Sequence, residues 1–319
     1  MTTITQLPTY DNRMAFADTL IELAASNPKI LAVCNDSVGS SNLVGFRDRY
    51  PERLINVGIA EQDMVGVGAG LASSGFIPFV CGAGPFLTGR ALEQIKADVA
   101  YSQHKVVLCS MSPGMAYGEL GPTHHSIEDY SWLRPLGGLD IAVPADRHQT
   151  RQALESLAGD PRPTYLRIGR YKVPDVTDPD TAWERGRMIT AREGDDVTLI
   201  GIGTGVSIAL DAAEALAGQG ISARVLNAAW LAPFDEASLL RAARETRAIV
   251  TVEEAHVAGG LGAAVASVLA QQPGGSPCPM RMIGVTGFAP TGSTSMLLEY
   301  FGITAADVAR VATELLDVP

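Results

Sequence analysis

Short apolar, β-branched runs alternate along this chain with segments whose apolar residues recur every three to four positions. KILAVCN (29–35), FIPFVCG (76–82), KVVLCSM (105–111), LDIAVP (139–144) and TYLRIG (164–169) are such runs. Parallel strands need a long crossover between them, and a helix is its usual content. The alternation therefore predicts a mostly parallel sheet flanked by helices, an α/β fold. It stops in a charged stretch, RYKVPDVTDPDTAWERGRM (170–188), which carries two prolines and no sustained period. It then restarts with DVTLIGIG, ISARVLN, RAIVTVEE and PMRMIGV as strands, and with SIALDAAEALAG, DEASLLRAARET, GLGAAVASVLA and AADVARVATELL as helices. We expect two α/β domains, 1–172 and 189–319, joined by a linker at 173–188.

Charge narrows the partners. The 24 basic and 35 acidic residues leave a net charge of -11, and no Lys/Arg run could track a phosphate backbone, so neither nucleic acid nor an anionic membrane is expected. No charged residue lies between Asp63 and Arg90, but Gly75 and Pro78 break that stretch into a helix, a turn and a strand rather than a membrane span. The start, MTTITQLPTYDNR, lacks the basic and apolar regions of a secretory signal. Cys34, Cys81, Cys109 and Cys278 are far apart and form no CxxC or Cys/His spacing, so a reduced, cytoplasmic chain with no cysteine-built metal site is expected.

Several motifs have an ordinary structural reading. GIGTG (201–205) sits where a dinucleotide fingerprint would lie, yet Val206 replaces its third glycine and no acid ends the next strand, which favours a plain strand-to-helix turn. The glycines of HVAGGLGAAV (256–265) free amides at a helix start, able to hold an anion but common as plain structure. In RLINVGIAEQDMVGVGAGLASSGF (53–76), Glu61 falls in the first turn of a helix, where it could simply favour the helix dipole. A second loop, YGELGPTHHSIEDYSWLRPL (117–136), puts two adjacent histidines at the same C-terminal sheet edge, where open α/β sheets bind ligands. His124 close to a carboxylate makes proton transfer plausible. A metal site of His124, His125 and Glu128 is not expected, because adjacent histidines on an extended loop point apart. No GxSxG motif is present, which argues against serine hydrolysis.

Taken together, GIAEQDMVGVGAGLASSG, PFLTGRALEQIKADVAY and GELGPTHHSIED resemble, in order and spacing, the pyrimidine-binding half of a transketolase. GIGTGVSIALDAAEAL and VEEAHVAGGLGAAV resemble that family's C-terminal domain, so the likeness covers nearly the whole chain. Transketolases bind thiamine diphosphate between two domains, one of which holds the diphosphate through Mg²⁺ and a GDG motif. No GDG occurs here. The resemblance is thus to the B subunit of a split transketolase, with metal and diphosphate held mainly by a partner A subunit in an A₂B₂ heterotetramer. The activity it implies is transfer of a two-carbon ketol unit from a phosphorylated ketose to an aldehyde.

Carried over by position, the resemblance assigns Glu61 to N1′ of the cofactor's aminopyrimidine, a role that asks for a buried carboxyl keeping its proton near neutrality. It assigns Phe86 to packing on that ring and Asp36 to the cofactor's vicinity. His124 would contact the donor ketose and the two-carbon intermediate, and Ser41 and Arg170 would grip a sugar phosphate. Two positions depart from the family: Leu120 stands where transketolases carry an Asp that reads a substrate hydroxyl, and Ser112 where they carry a phosphate-binding His. Both point to a branched or otherwise modified sugar phosphate. Rival readings are the β subunit of a 2-oxo acid dehydrogenase, half of a 1-deoxyxylulose-5-phosphate synthase, and a non-catalytic regulatory subunit. GPTHHSIED favours transketolase over the first, and Glu61 with His124 argues against the last.

Overall fold

In the computed structural model, which describes residues 7–317, each long apolar run is a buried strand. The strands are β1 (Thr9–Tyr10), β2 (Ile30–Cys34), β3 (Leu54–Asn56), β4 (Ile77–Ala83), β5 (Val107–Met111), β6 (Asp140–Ala142) and β7 (Thr164–Ile168). They continue as β8 (Val173–Pro174), β9 (Ile189–Arg192), β10 (Val197–Gly201), β11 (Ala223–Asn227), β12 (Trp230–Ala232), β13 (Ala248–His256) and β14 (Met280–Val285). One sheet has the order β12-β6-β7-β5-β4-β2-β3 and is parallel except at β12; the other runs β14-β13-β10-β11-β9 and is parallel except at β9. Strands β2, β4, β5 and β7 are buried along their whole length, because helices cover both faces of the sheet.

The stretch without charge is the helix Glu61–Ser73 beyond Asp63, a turn at Gly75 and strand β4, and runs into the helix Gly84–Arg90. Among the described residues no helix is long and apolar enough to cross a membrane. GIGTG is the turn from β10 into the helix Gly205–Ala217. A side chain at Gly205 would run into the Val252 carbonyl, so this glycine serves close helix-to-strand packing.

Two features go beyond the sequence reading. Val173–Pro174, at the start of the charged stretch, pairs antiparallel with Thr9–Tyr10. Strand β12 leaves the second half of the chain and closes the edge of the first sheet beside β6. The halves are therefore stitched together by backbone pairing, and one apolar cluster runs through both, from Val80, Leu108 and Ile141 to Leu226, Leu231 and Leu261.

Candidate active site

The parallel order of β3, β2, β4, β5 and β7 brings the C-terminal ends of all five strands to one edge. Asn35 follows β2, Glu61 follows β3, Phe86 follows β4, the histidine loop follows β5 and Arg170 follows β7. Glu61 opens its helix and is only 4% exposed. Its Oε1 accepts from Asn35 Nδ2 at 3.1 Å, and both its oxygens accept from Arg90 Nη1 at 3.0 Å.

These partners correct the expectation of a protonated acid. Burial pushes the Glu61 carboxyl up, but its own backbone amide, the Arg90 guanidinium and Asn35 together outweigh burial and hold it below the ordinary glutamate value. In the chain by itself Glu61 is ionised at neutral pH.

From Glu61 a continuous row of contacts crosses the edge. The Arg90 guanidinium lies over the Phe86 ring, 4.1 Å from its centroid. Phe86 meets His124 edge to face at 5.1 Å, His124 meets Tyr117 at 6.2 Å, and Arg170 lies over the Tyr117 ring at 5.1 Å. His124 is half-buried, with Thr123 Oγ1 3.0 Å from its Nδ1. Arg170 is exposed and lines a cleft of about 390 Å³ with Tyr117, Glu119, Leu120, Ser293 and Thr294. His125 turns the other way: it is buried, its Nε2 faces the Gly118 carbonyl at 3.4 Å, and desolvation lowers its pKa.

The remaining sequence candidates are placed differently. Ser41 is buried, with its hydroxyl 3.3 Å from that of Ser37. Ser37 N and Oγ both donate to the side-chain oxygen of Asn35, so Ser41 ends a chain of hydrogen bonds that begins at Glu61. Asp36 is exposed on the loop after β2. Ser112 is fully buried at a φ of 57°, with its hydroxyl unpartnered, whereas Leu120 is 56% exposed on the wall of the cleft. No group of His, Cys, Asp or Glu among the described residues could hold a metal ion. The amides that HVAGGLG frees at the helix Leu261–Ala270 are taken by the chain's own Glu253, which accepts from Leu261 N at 2.7 Å and Gly262 N at 2.8 Å. Sequence reasoning missed Asn35, Arg90 and Tyr117. Arg90 stood inside a recognisable motif, but its partner is 29 residues away, and no local spacing announces such a pair.

Comparison with known proteins decides the lineage. The family model for the transketolase pyrimidine binding domain matches residues 9–175, and that for the transketolase C-terminal domain matches residues 186–308. The chain belongs to the transketolase family. This transketolase subunit is 40% identical to the B subunit of the apulose-4-phosphate transketolase of Phocaeicola vulgatus, over 95% of this chain and 97% of that one. It is 38% identical to the 6-deoxy-6-sulfo-D-fructose transketolase subunit SqwH of a Clostridium species, covering 96% and 94% of the two chains. A solved split-gene transketolase, described as an inactive beta4 tetramer, superposes with a TM-score of 0.88 at 39% identity, covering 96% of this chain and 98% of that one.

Proposed function

We propose that this transketolase subunit pairs with a separately encoded A subunit carrying GDG and moves a two-carbon ketol unit from a phosphorylated ketose to an aldehyde. The observation that carries the reading is the row of contacts from Glu61 to Arg170, with a buried acid at one end and an open cation at the other. The acid end fits the pyrimidine of thiamine diphosphate, since a buried carboxylate and an aromatic ring are bridged by one guanidinium, with the carboxylate beside an open depression lined by Ile59, Gln62 and Arg90. When bound, that cofactor supplies the carbon nucleophile; Mg²⁺ and the diphosphate fall to the A subunit.

This chain's own residues then bind and orient. Glu61 shares a proton with the ring nitrogen, and Phe86 flanks the ring. Thr123 engages His124 Nδ1, which leaves Nε2 to hydrogen-bond a substrate hydroxyl or pass it a proton. Arg170 presents its planar fork to a phosphate in the cleft. Asp36 and Ser41 support this edge from the loop after β2. We assign the division 1–172, 173–188 and 189–319 to the two family domains and their linker, and the cytoplasm as the compartment.

Three observations support the partner and the substrate class. The similar split-gene protein is inactive as a beta4 tetramer, which agrees with a requirement for an A subunit and with an A₂B₂ enzyme. Leu120 is apolar and exposed where an acid would read a hydroxyl, and Ser112 is too deeply buried to meet a phosphate. The relative named for apulose 4-phosphate fits a branched ketose phosphate, and the one named for 6-deoxy-6-sulfo-D-fructose, which bears a sulfonate where a phosphate would stand, fits a modified anionic ketose.

The test combines purified chain, A subunit, thiamine diphosphate and Mg²⁺ with apulose 4-phosphate and an aldose phosphate. Turnover is expected from the mixture and from neither subunit alone, and Glu61→Ala should cost at least about 100-fold. Turnover by Glu61→Ala at the wild-type rate, or decarboxylation of a 2-oxo acid in place of ketol transfer, refutes the reading.

A further inference from the structure

We propose that Arg90 gates the pyrimidine site: its guanidinium takes both contacts a cofactor ring needs, the Glu61 carboxylate and the Phe86 ring, and must swing clear for that ring to enter. The inference rests on the assignment of Glu61 and Phe86 to the pyrimidine.

Four observations carry it. A guanidinium is a flat group with N–H donors in its plane, so it can satisfy a carboxylate while lying on an aromatic ring, as an aminopyrimidine can. Arg90 does both at once, with Nη1 3.0 Å from each Glu61 oxygen and its central carbon 4.1 Å from the Phe86 centroid. The exposures are lopsided: the Glu61 side chain is 3% exposed and that of Arg90 50%, both beside the same open depression, so Arg90 is the lid between acid and solvent. Finally, the backbone of Arg90 is held independently of its guanidinium. Gln62 Nε2 donates to the Arg90 carbonyl at 3.1 Å, and among the described residues the guanidinium has no acceptor besides Glu61.

The exchange also sets the charge of Glu61. While Arg90 stays, it helps hold the carboxyl below its ordinary value; once it leaves, burial opposes fewer lowering contacts and the proton is retained more readily. Opening the lid thereby prepares the acid for sharing a proton with the ring nitrogen.

The experiment is calorimetric titration of the assembled A₂B₂ complex with thiamine diphosphate and Mg²⁺, for wild type, Arg90→Met, Arg90→Lys and Glu61→Gln. Losing a half-exposed ion pair that competes with the ring should tighten binding about fivefold in Arg90→Met. Arg90→Lys, which restores the charge, should bind close to wild type. A urea midpoint unchanged in Arg90→Met shows that the gain is not a folding effect. Equal or weaker binding by Arg90→Met overturns the gate. If Glu61→Gln weakens binding while Arg90→Met gains nothing, only the gate falls; if Glu61→Gln binds as wild type does, the pyrimidine assignment falls with it.

Discussion

Replacing Arg167 by Met probes the buried network beneath the histidine loop. Arg167 is 5% exposed and its partner Asp129 is fully buried. Arg167 Nε donates to Asp129 Oδ2 at 2.8 Å, Nη1 to Tyr130 Oη at 3.0 Å, and Nη2 to the carbonyls of Ser126 and Glu254 at 3.0 Å each. The Tyr165 hydroxyl donates to the same Asp129 oxygen at 2.6 Å. Met keeps most of the volume but leaves the Asp129 charge buried with hydrogen bonds and no counter-ion. Breaking one side of a buried pair costs about 3–5 kcal/mol, whereas removing both charges is far milder. Urea unfolding of the complete chain, followed by tryptophan fluorescence, should show that loss in Arg167→Met. The double variant Arg167→Met with Asp129→Asn should recover at least about 2 kcal/mol of it. A cost below about 1 kcal/mol, or a double variant no more stable than the single, would refute the reasoning.

Three further outcomes are expected. Burial raises the Glu253 carboxyl to about 7 despite its two amide donors and the nearby Arg167 and Arg134. Between the ordinary glutamate value and 7 the folded chain holds a proton that the unfolded chain releases, so this contribution to stability is complete at low pH and fades by about 3 kcal/mol as pH rises through 7. Unfolding free energies of Glu253→Gln minus wild type should climb over that window, and parallel profiles would exclude it. Asp146 is the N-cap of the helix Arg147–Gly159, and it also accepts from the amides of Val176 and Thr177 and from the Thr177 hydroxyl. Asp146→Ala should therefore lose about 2–4 kcal/mol, more than a cap alone is worth, and should expose the 170–188 segment to limited proteolysis. All four cysteines are free and buried, and burial pushes the Cys34 thiol up to about 12. Ellman's reagent should titrate four thiols in urea and essentially none in the native chain; rapid native labelling would contradict this.

What the sequence makes legible follows from periodicity. Strands β2, β4, β5, β7, β10 and β13 are long apolar runs because both their faces are covered, and such runs are visible in one dimension. Strands β9 and β12 are short edge strands, half-exposed or three residues long, and their pairing depends on which sheet the chain happens to pass. The candidates Glu61, Phe86, His124 and Arg170 come from motif order, and the fold aligns them along one edge. The charge state of Glu61 does not. Its burial could be inferred from a helix start beside apolar residues, but the guanidinium that outweighs burial arrives from another helix, through a tertiary contact.

The second half of the chain acts on this site from behind. His256 N donates to the Ile127 carbonyl at 2.7 Å, Met115 N to Glu254 Oε1 at 2.6 Å, and Thr294 Oγ1 to the Met115 carbonyl at 3.1 Å. Both ends of the loop that carries His124 are thus held by residues of β13 and of the helix Thr294–Tyr300, and Arg167 ties Ser126 to Glu254 between them. A loop holds a fixed form only where the scaffold pins it, and a side chain such as His124 is positioned no better than the loop that carries it. The second half of the chain supplies those pins, while Glu61, Phe86 and Arg170 all stand at the edge of the first sheet. Strand β12, paired with β6 at the edge of that sheet, gives the bracing half of the chain a fixed attachment to the strands from which the loop springs.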